Sequence, residues 1–262
     1  GRFYDVGIAE PHAVTFAGGL AANGMLPVFA VYSSFLQRCY DEIIHDLSIE
    51  EQHVVIGIDR AGIVGNDGET HQGLFDVAML SNIPKITVYS PATYAEMRWA
   101  LEQSLYAHTG VCCVRYPRGG EVSLPEGFDP HKDWSMIHPG KETVLVTYGR
   151  IASEVCKAAQ MLAENGTEVS VLKINRILPF CEEVLAQIKD AKQILFVEEG
   201  MKNGGIGQIL GEKLLEQGYQ GRYQLLAIDD CFVSQATVAR AIELSGLDAK
   251  SIVRFYEQKI KE

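Results

Sequence analysis

Short runs of β-branched and aromatic residues alternate with longer segments of 3.6-residue periodicity along the whole chain, and this alternation limits the folds open to it. The strand-like runs are PVFAVY (27–32), HVVIGID (53–59), KITVYS (85–90), VCCVRY (111–116), ETVLVTY (142–148), EVSVLKI (168–174), QILFVEE (193–199) and YQLLAI (223–228). Helices are predicted near 11–23, 34–48, 92–107, 151–164, 181–190, 205–217, 234–245 and 248–260. Strands that are apolar almost throughout, most of them separated by helices, fit mainly parallel sheets covered on both faces. Pro11 suits the first turn of its helix, and Thr93 with Glu96 has capping-box spacing.

The stretch RGGEVSLPEGFDPHKDWSMIHPGK, from Arg118 to Lys141, interrupts the alternation with four glycines and three prolines. It reads as a linker over 119–141 between an α/β domain at 1–118 and a second α/β domain at 142–262. At 262 residues the chain has room for both.

A formal net charge of -11 argues against nucleic acid and anionic membranes, which select basic surfaces, but leaves room for local basic pockets for small anions. No apolar run approaches the roughly 20 residues of a membrane-crossing helix. No leader pattern precedes the first domain, so a cytoplasmic protein is expected. The six cysteines, at 39, 112, 113, 156, 181 and 231, show no C-x-x-C spacing and sit in or beside apolar segments. They read as reduced, buried, small hydrophobes. The first residue is Gly1, and RFYDVGIAE resembles the middle of a folded unit, so the chain is expected to be part of a longer one.

The stretch DRAGIVGNDGETHQGLFD, from Asp59 to Asp76, concentrates six ionisable groups and four glycines in eighteen residues at the carboxyl end of a predicted parallel strand. Ligands of open α/β sheets bind at such ends, and glycines let a backbone bend until charged side chains meet a ligand. A solvated loop is the plain alternative. In GIAEPH, Glu10 precedes an apolar helix; it is either an acid favoured by the helix dipole or a carboxylate in an apolar pocket that shares a proton with a ligand nitrogen. In YSSFLQRCYD, Tyr32, Phe35 and Arg38 fall close together, as core aromatics or as a cofactor platform. In VRYPRGG, one of Arg115 and Arg118 can pair structurally while the other reaches a carboxylate or phosphate. NDGE at 66–69 lacks the downstream asparagine of a magnesium-diphosphate motif. GGIGQ at 204–208 lacks a full dinucleotide fingerprint and reads as close helix–strand packing.

Together GIAEPHAVTFAGGLA, YSSFLQRCYD, DRAGIVGNDGETHQGLFD and VRYPRG resemble the pyrimidine-binding domain of the 1-deoxy-D-xylulose-5-phosphate synthase family. EEGMKNGGIG and the closing helices resemble the transketolase-type C-terminal domain that follows it. The resemblance implies thiamine diphosphate as cofactor, with Glu10 on the aminopyrimidine ring nitrogen and Phe35 stacked on that ring. It implies that Tyr32, Arg60 and Arg118 hold the phosphate of D-glyceraldehyde 3-phosphate, with Asp67 and His71 beside the reacting carbons. Arg38 is expected to brace the loop. Pro11 departs from the family, in which glutamine is the commoner neighbour of the glutamate.

The family reaction joins pyruvate to D-glyceraldehyde 3-phosphate with release of carbon dioxide, supplying isoprenoid, thiamine and pyridoxal synthesis. The resemblance also implies an N-terminal domain whose GDG motif holds Mg2+ and the diphosphate, in the same full-length chain or a partner subunit. That domain is absent from this sequence, which has no metal site of its own in this reading; the isolated chain is expected to be inactive, and a homodimer is expected. Two other readings stand beside it. One is the C-terminal subunit of a split transketolase or a 2-oxoacid dehydrogenase β-subunit, against which THQGLFD counts. The other is a catalytically silent dimerisation module.

Overall fold

The computed structural model describes residues 2–259 as two packed α/β units. The first opens with α1 (Glu10–Ala22), β1 (Val28–Tyr32) and α2 (Ser33–Leu36), followed by α3 (Tyr40–Glu42), β2 (Val54–Asp59), α4 (Asp76–Leu80), β3 (Thr87–Tyr89), α5 (Tyr94–Tyr106) and β4 (Val111–Arg115). The second holds β5 (Trp134–Ile137), β6 (Thr143–Tyr148), α6 (Ala152–Glu164), β7 (Ser170–Ile174), β8 (Arg176–Leu178), α7 (Glu182–Ile188) and β9 (Gln193–Met201). It closes with α8 (Ile206–Glu216), β10 (Arg222–Ile228), α9 (Val238–Leu244) and α10 (Ala249–Lys259). The helix expected to 260 thus ends, within the described residues, at Lys259.

Two five-stranded sheets result, ordered β1-β2-β4-β3-β8 and β10-β9-β6-β7-β5. Each is parallel except for one antiparallel edge strand, β8 on β3 and β5 on β7. The central strands are buried along their length, apart from Asp59 at the end of β2, as the unbroken apolar runs require. Thr93 and Glu96 form the expected capping box.

Four features depart from expectation, the first being the short helix α4, where none was predicted. Residues 134–137, inside the stretch read as linker, pair with β7 and complete the second sheet. Residues 176–178 cross back to the first sheet. The helix expected over 34–48 is broken into short α, 3-10 and π-type turns, with Leu36, Cys39, Ile43 and Leu47 all fully buried along it.

The two units share their interior. One apolar cluster runs from Val54, Ile56 and Val88 of the first sheet to Val144, Leu172 and Phe196 of the second. A second lies on the far face of the second sheet and takes in Ile63 and Leu74 from the first unit. Three buried ion pairs accompany them: Arg115 with Asp76, Lys173 with Glu96, and Arg150 with Glu199. A joint interior of this kind makes independent domain motion costly. Among the described residues, no helix is long and apolar enough to cross a membrane.

Candidate functional site

Strand order brings the site together. β1, β2 and β4 are parallel neighbours, with Tyr32 in register with Asp59 and Ile58 in register with Arg115. Their carboxyl ends therefore present Tyr32, the loop that begins at Arg60, and the segment bearing Arg118 side by side, where open parallel sheets place their ligands. β1 passes directly into α2, which carries Phe35. The amino end of α1 brings Glu10, 8% exposed, onto the wall of an open cavity of about 950 Å³ that Phe16, Ala17, Val31, Tyr32 and Phe35 also line.

These side chains form one continuous run of contacts. Arg38 Nη1 lies 3.2 Å from Glu10 Oε2, and its guanidinium sits 5.0 Å from the Phe35 ring centre. Phe35 stacks on Tyr32 at 5.3 Å and meets His71 edge-on at 5.6 Å. The Arg60 guanidinium covers the Tyr32 ring at 3.9 Å and donates to its hydroxyl at 3.0 Å. Arg60 and Arg118 each donate to one oxygen of Asp67. His71 Nδ1 lies 2.8 Å from the hydroxyl of Thr70.

The loop owes its shape to its glycines. Gly62 has φ +80 and exchanges two backbone hydrogen bonds with Gly73, at 2.6 and 2.7 Å, which pinches the loop shut at its base. A Cβ on Gly73 would fall 2.9 Å from Ala61 Cα and from Ser33 Cβ, so the approach admits only glycine. Arg60 itself has φ +60, with its N–H donating to Asp59 Oδ1 at 2.7 Å. A bulky residue in that conformation is a strained one, held by its surroundings.

Residues 1–120 match the model of the transketolase pyrimidine binding domain, and residues 132–252 match that of the transketolase C-terminal domain. The chain belongs to the transketolase family. Curated relatives of this transketolase-family chain include the 1-deoxy-D-xylulose-5-phosphate synthase of Clostridium botulinum, 40% identical over 96% of the chain and 41% of the relative. That of Macrococcus caseolyticus is 35% identical over 98% of the chain and 42% of the relative. The chain thus spans about two fifths of the length of these relatives. Two solved structures share its fold. A split gene transketolase, described as an inactive beta4 tetramer, superposes with TM-score 0.87 at 24% identity over 99% of this chain and 84% of that one. Transketolase from Campylobacter jejuni gives TM-score 0.79 at 18% identity over 97% and 39%.

Asp67 has both oxygens occupied by guanidinium groups and so stands between Arg60 and Arg118. Arg38 touches Glu10 and Phe35. Of the VRYPR arginines, Arg115 is the structural one, buried with Nε and Nη2 on Asp76 at 2.9 and 3.2 Å and Nη1 on Ser90 at 3.1 Å. All six cysteines are free, but Cys231 is exposed and Cys156 only half-buried. Burial, with Glu42 and Glu10 nearby, pushes the Cys39 thiol up to about 12, so it packs rather than reacts. Among the described residues no group of three or more His, Cys, Asp or Glu is placed to hold a metal ion.

The sequence reading missed the groups behind the loop: Gln72, Arg150 and Glu199, all buried. The available signal was FVEE, two adjacent acids ending an apolar strand. An acid buried beside its neighbour needs partners, and each acid finds its own: Glu198 accepts from Tyr148, Ile206 and Gly207, and Glu199 from Arg150 and Ile63. The glycines of GGIGQ do pack helix against strand, with Gly207 against Phe196 and Leu225.

Proposed function

We propose that this chain is the pyrimidine-side part of a thiamine-diphosphate-dependent transferase that joins pyruvate to D-glyceraldehyde 3-phosphate, giving 1-deoxy-D-xylulose 5-phosphate and carbon dioxide. The observation that carries the reading is the unbroken run of contacts from Glu10 through Phe35 and Tyr32 to Arg60, Asp67 and Arg118.

The residues fit the aminopyrimidine half of that cofactor. A buried carboxylate opens onto a cavity with an aromatic ring beside it, which suits a flat heterocycle with a ring nitrogen to protonate. Thiamine diphosphate, when bound, would supply a nucleophilic thiazolium carbon for the pyruvate carbonyl. Glu10 would hold a proton at the pyrimidine ring nitrogen, and Phe35 would cover one face of the ring. Arg38 offsets the Glu10 charge from its half-exposed position. His71, on the Phe35 edge, would hold or move a proton at the pyruvate-derived carbons.

Arg60 and Arg118 carry two positive charges against the single negative charge of Asp67, which leaves one positive charge for an anion. Asp67 thus holds together two guanidiniums that would otherwise repel, and Tyr32 orients the first of them. A phosphate with several acceptor oxygens suits such a pair. Mg2+ and the diphosphate would be held by a GDG-bearing domain outside this chain. On this reading the isolated chain binds cofactor weakly and does not turn over, and the protein is a cytoplasmic homodimer.

A second reading, a split-transketolase subunit, draws on the similar extent of the separately encoded neighbour. The test combines this chain with its GDG-bearing domain and supplies either pyruvate or a ketose phosphate as donor. Carbon dioxide release from pyruvate that depends on glyceraldehyde 3-phosphate supports the synthase; ketol transfer without carbon dioxide release supports the second reading and removes the first.

A further inference from the structure

The face of the 62–74 loop turned away from the candidate site is held by the second domain. Ile63 donates its N–H to Glu199 Oε1 at 2.6 Å, and its carbonyl accepts from Arg150, whose Nε lies 3.1 Å from Glu199 Oε2. One peptide position of the loop therefore rests, through both its backbone groups, on a buried ion pair of the other domain. The Ile63 and Leu74 side chains are plugs in that domain's apolar core.

The segment after β10 supplies further points. Ser234 donates to Glu69 at 2.9 Å, Gln235 donates to the Asn66 carbonyl at 2.8 Å, and Gln72 donates to the Val233 carbonyl at 3.2 Å. A Cβ on Gly65 would fall 2.7 Å from Val238 N, so backbone lies against backbone there.

These anchors alternate with the site residues. Arg60 lies three positions before Ile63, Asp67 adjoins Asn66, and His71 adjoins Gln72. Tyr32, Phe35 and Arg118 come instead from the strand ends of the first domain. The site is thus assembled from two parts, one fixed by the first sheet and one fixed through the second.

We infer that the second domain, through Arg150, Glu199, Ser234 and Gln235, is the positioning frame that sets Arg60, Asp67 and His71 against Tyr32 and Phe35. None of the four touches the contact run itself; they act through the loop backbone. The functional consequence rests on the proposed reading of Arg60 as an anion ligand, but the positioning role does not.

The experiment uses the 262-residue chain and two variants. Arg150→Met with Glu199→Gln removes the buried pair together, and Ser234→Ala with Gln235→Ala removes the exposed anchors at little risk to folding. Hydrogen exchange at amides 62–72 and the Arg60 side-chain N–H resonance, shifted by the Tyr32 ring beneath it, are followed by NMR. Loss of anchoring hydrogen bonds should speed loop exchange roughly tenfold, and the Arg60 signal should move toward the position of a free arginine. Amides of β6 and β9 should keep their protection. Unchanged loop exchange and an unmoved Arg60 signal in a folded variant would overturn the inference, and the Ser234/Gln235 variant decides alone if the other does not fold. Inorganic phosphate titrated into the unaltered chain tests the anion site separately: an unmoved Arg60 signal there removes the phosphate reading and leaves the exchange result to judge the frame.

Discussion

The Arg38 guanidinium donates to the Glu10 carboxylate at 3.2 Å while the aliphatic and aromatic wall of the cavity closes around the acid. Glu10 is nearly buried and Arg38 half-exposed. A half-exposed pair of this kind contributes only about 0–1 kcal/mol to stability. Its place at the proposed ring-nitrogen contact matters more than its contribution to folding. Glu10→Gln should leave the fold nearly intact and slow hydrogen exchange at the thiazolium carbon of bound thiamine diphosphate, because the amide cannot supply the negative charge. Arg38→Ala should slow it less, since the carboxylate remains. Proton exchange measured by NMR in the cofactor-loaded protein checks both, and exchange unchanged in Glu10→Gln would remove the assigned role.

Gly62→Ala tests the base of the loop. The added Cβ would lie 2.6 Å from the Glu199 carboxylate, in a backbone with φ +80. Left-handed strain alone costs about 1–3 kcal/mol, and displacement of Glu199 from Ile63 and Arg150 adds to it. A urea titration should give an unfolding free energy lower by at least that strain. Gly19→Ala, where nothing lies within 4 Å of the added Cβ, is the control and should not destabilise.

The parallel sheets were legible because β2, β4, β6 and β9 are buried on both faces and so read as uninterrupted apolar runs. β5 and β8 escaped because they are short edge strands whose partners lie tens of residues away, and nothing local in WSMI or RIL marks them. Of the candidate site, what was legible was the placement of Tyr32, Arg60 and Arg118 after neighbouring parallel strands, with Phe35 in the short helix that follows β1. The partners of Asp67 and Arg38 were not legible, because sequence shows neither which of several acids faces which arginine nor how a helix winds: they are seven and fifty-one residues away for Asp67 and twenty-eight for Arg38. Among the second-domain anchors only Glu199 had a local signal, the adjacent acids of FVEE, and nothing local showed that it and Arg150 serve a loop more than eighty residues earlier in the chain.

Self-association is expected from the surface around the cavity. Phe3, Tyr4, Ile8, Met25, Leu26 and Val28 are all exposed, and β1 is the edge strand of its sheet. Apolar side chains gathered near an uncovered strand edge favour pairing with another chain. Light scattering at micromolar concentration should report a species larger than the 28.9 kDa chain, and Ile8→Lys with Met25→Lys should shift it toward the monomer. A monomer for the unaltered chain would count against the proposed assembly.

Glu198 predicts how stability follows pH. Burial pushes its carboxyl up from 4.5 to about 7, against the pull of Tyr148, the Gly207 and Ile206 N–H groups and Arg115. The folded state then binds this proton more tightly than the unfolded one. The stabilising contribution is full below about 4.5 and is lost as pH rises through about 7. Burial lowers His108, which gives the opposite slope near its own range, so the useful quantity is the difference between two proteins. Glu198→Gln cannot titrate, and its melting temperature relative to the unaltered chain should rise between pH 5 and pH 8. Parallel melting curves across that range would show that Glu198 keeps one protonation state in both folded and unfolded chains.

Arg118→Ala separates the two substrates. Pyruvate carries a carboxylate and no phosphate, whereas the phosphate of glyceraldehyde 3-phosphate offers acceptor oxygens to both guanidiniums. A hydrogen bond to a charged group contributes about 1.5–3 kcal/mol, or roughly 10- to 150-fold in affinity. Arg118 is 45% exposed, which places the expected rise in KM for the aldehyde near the lower end of that range. The KM for pyruvate should change little, and so should turnover of an unphosphorylated aldehyde, for which the contact never existed. Asp67 would keep Arg60 in place after the change, so the loss should appear in KM more than in kcat. Equal losses for pyruvate and the phosphorylated aldehyde in steady-state kinetics of the complete enzyme would instead mean that Arg118 acts by holding Asp67 and the loop, and the phosphate assignment would pass to Arg60 and Tyr32 alone.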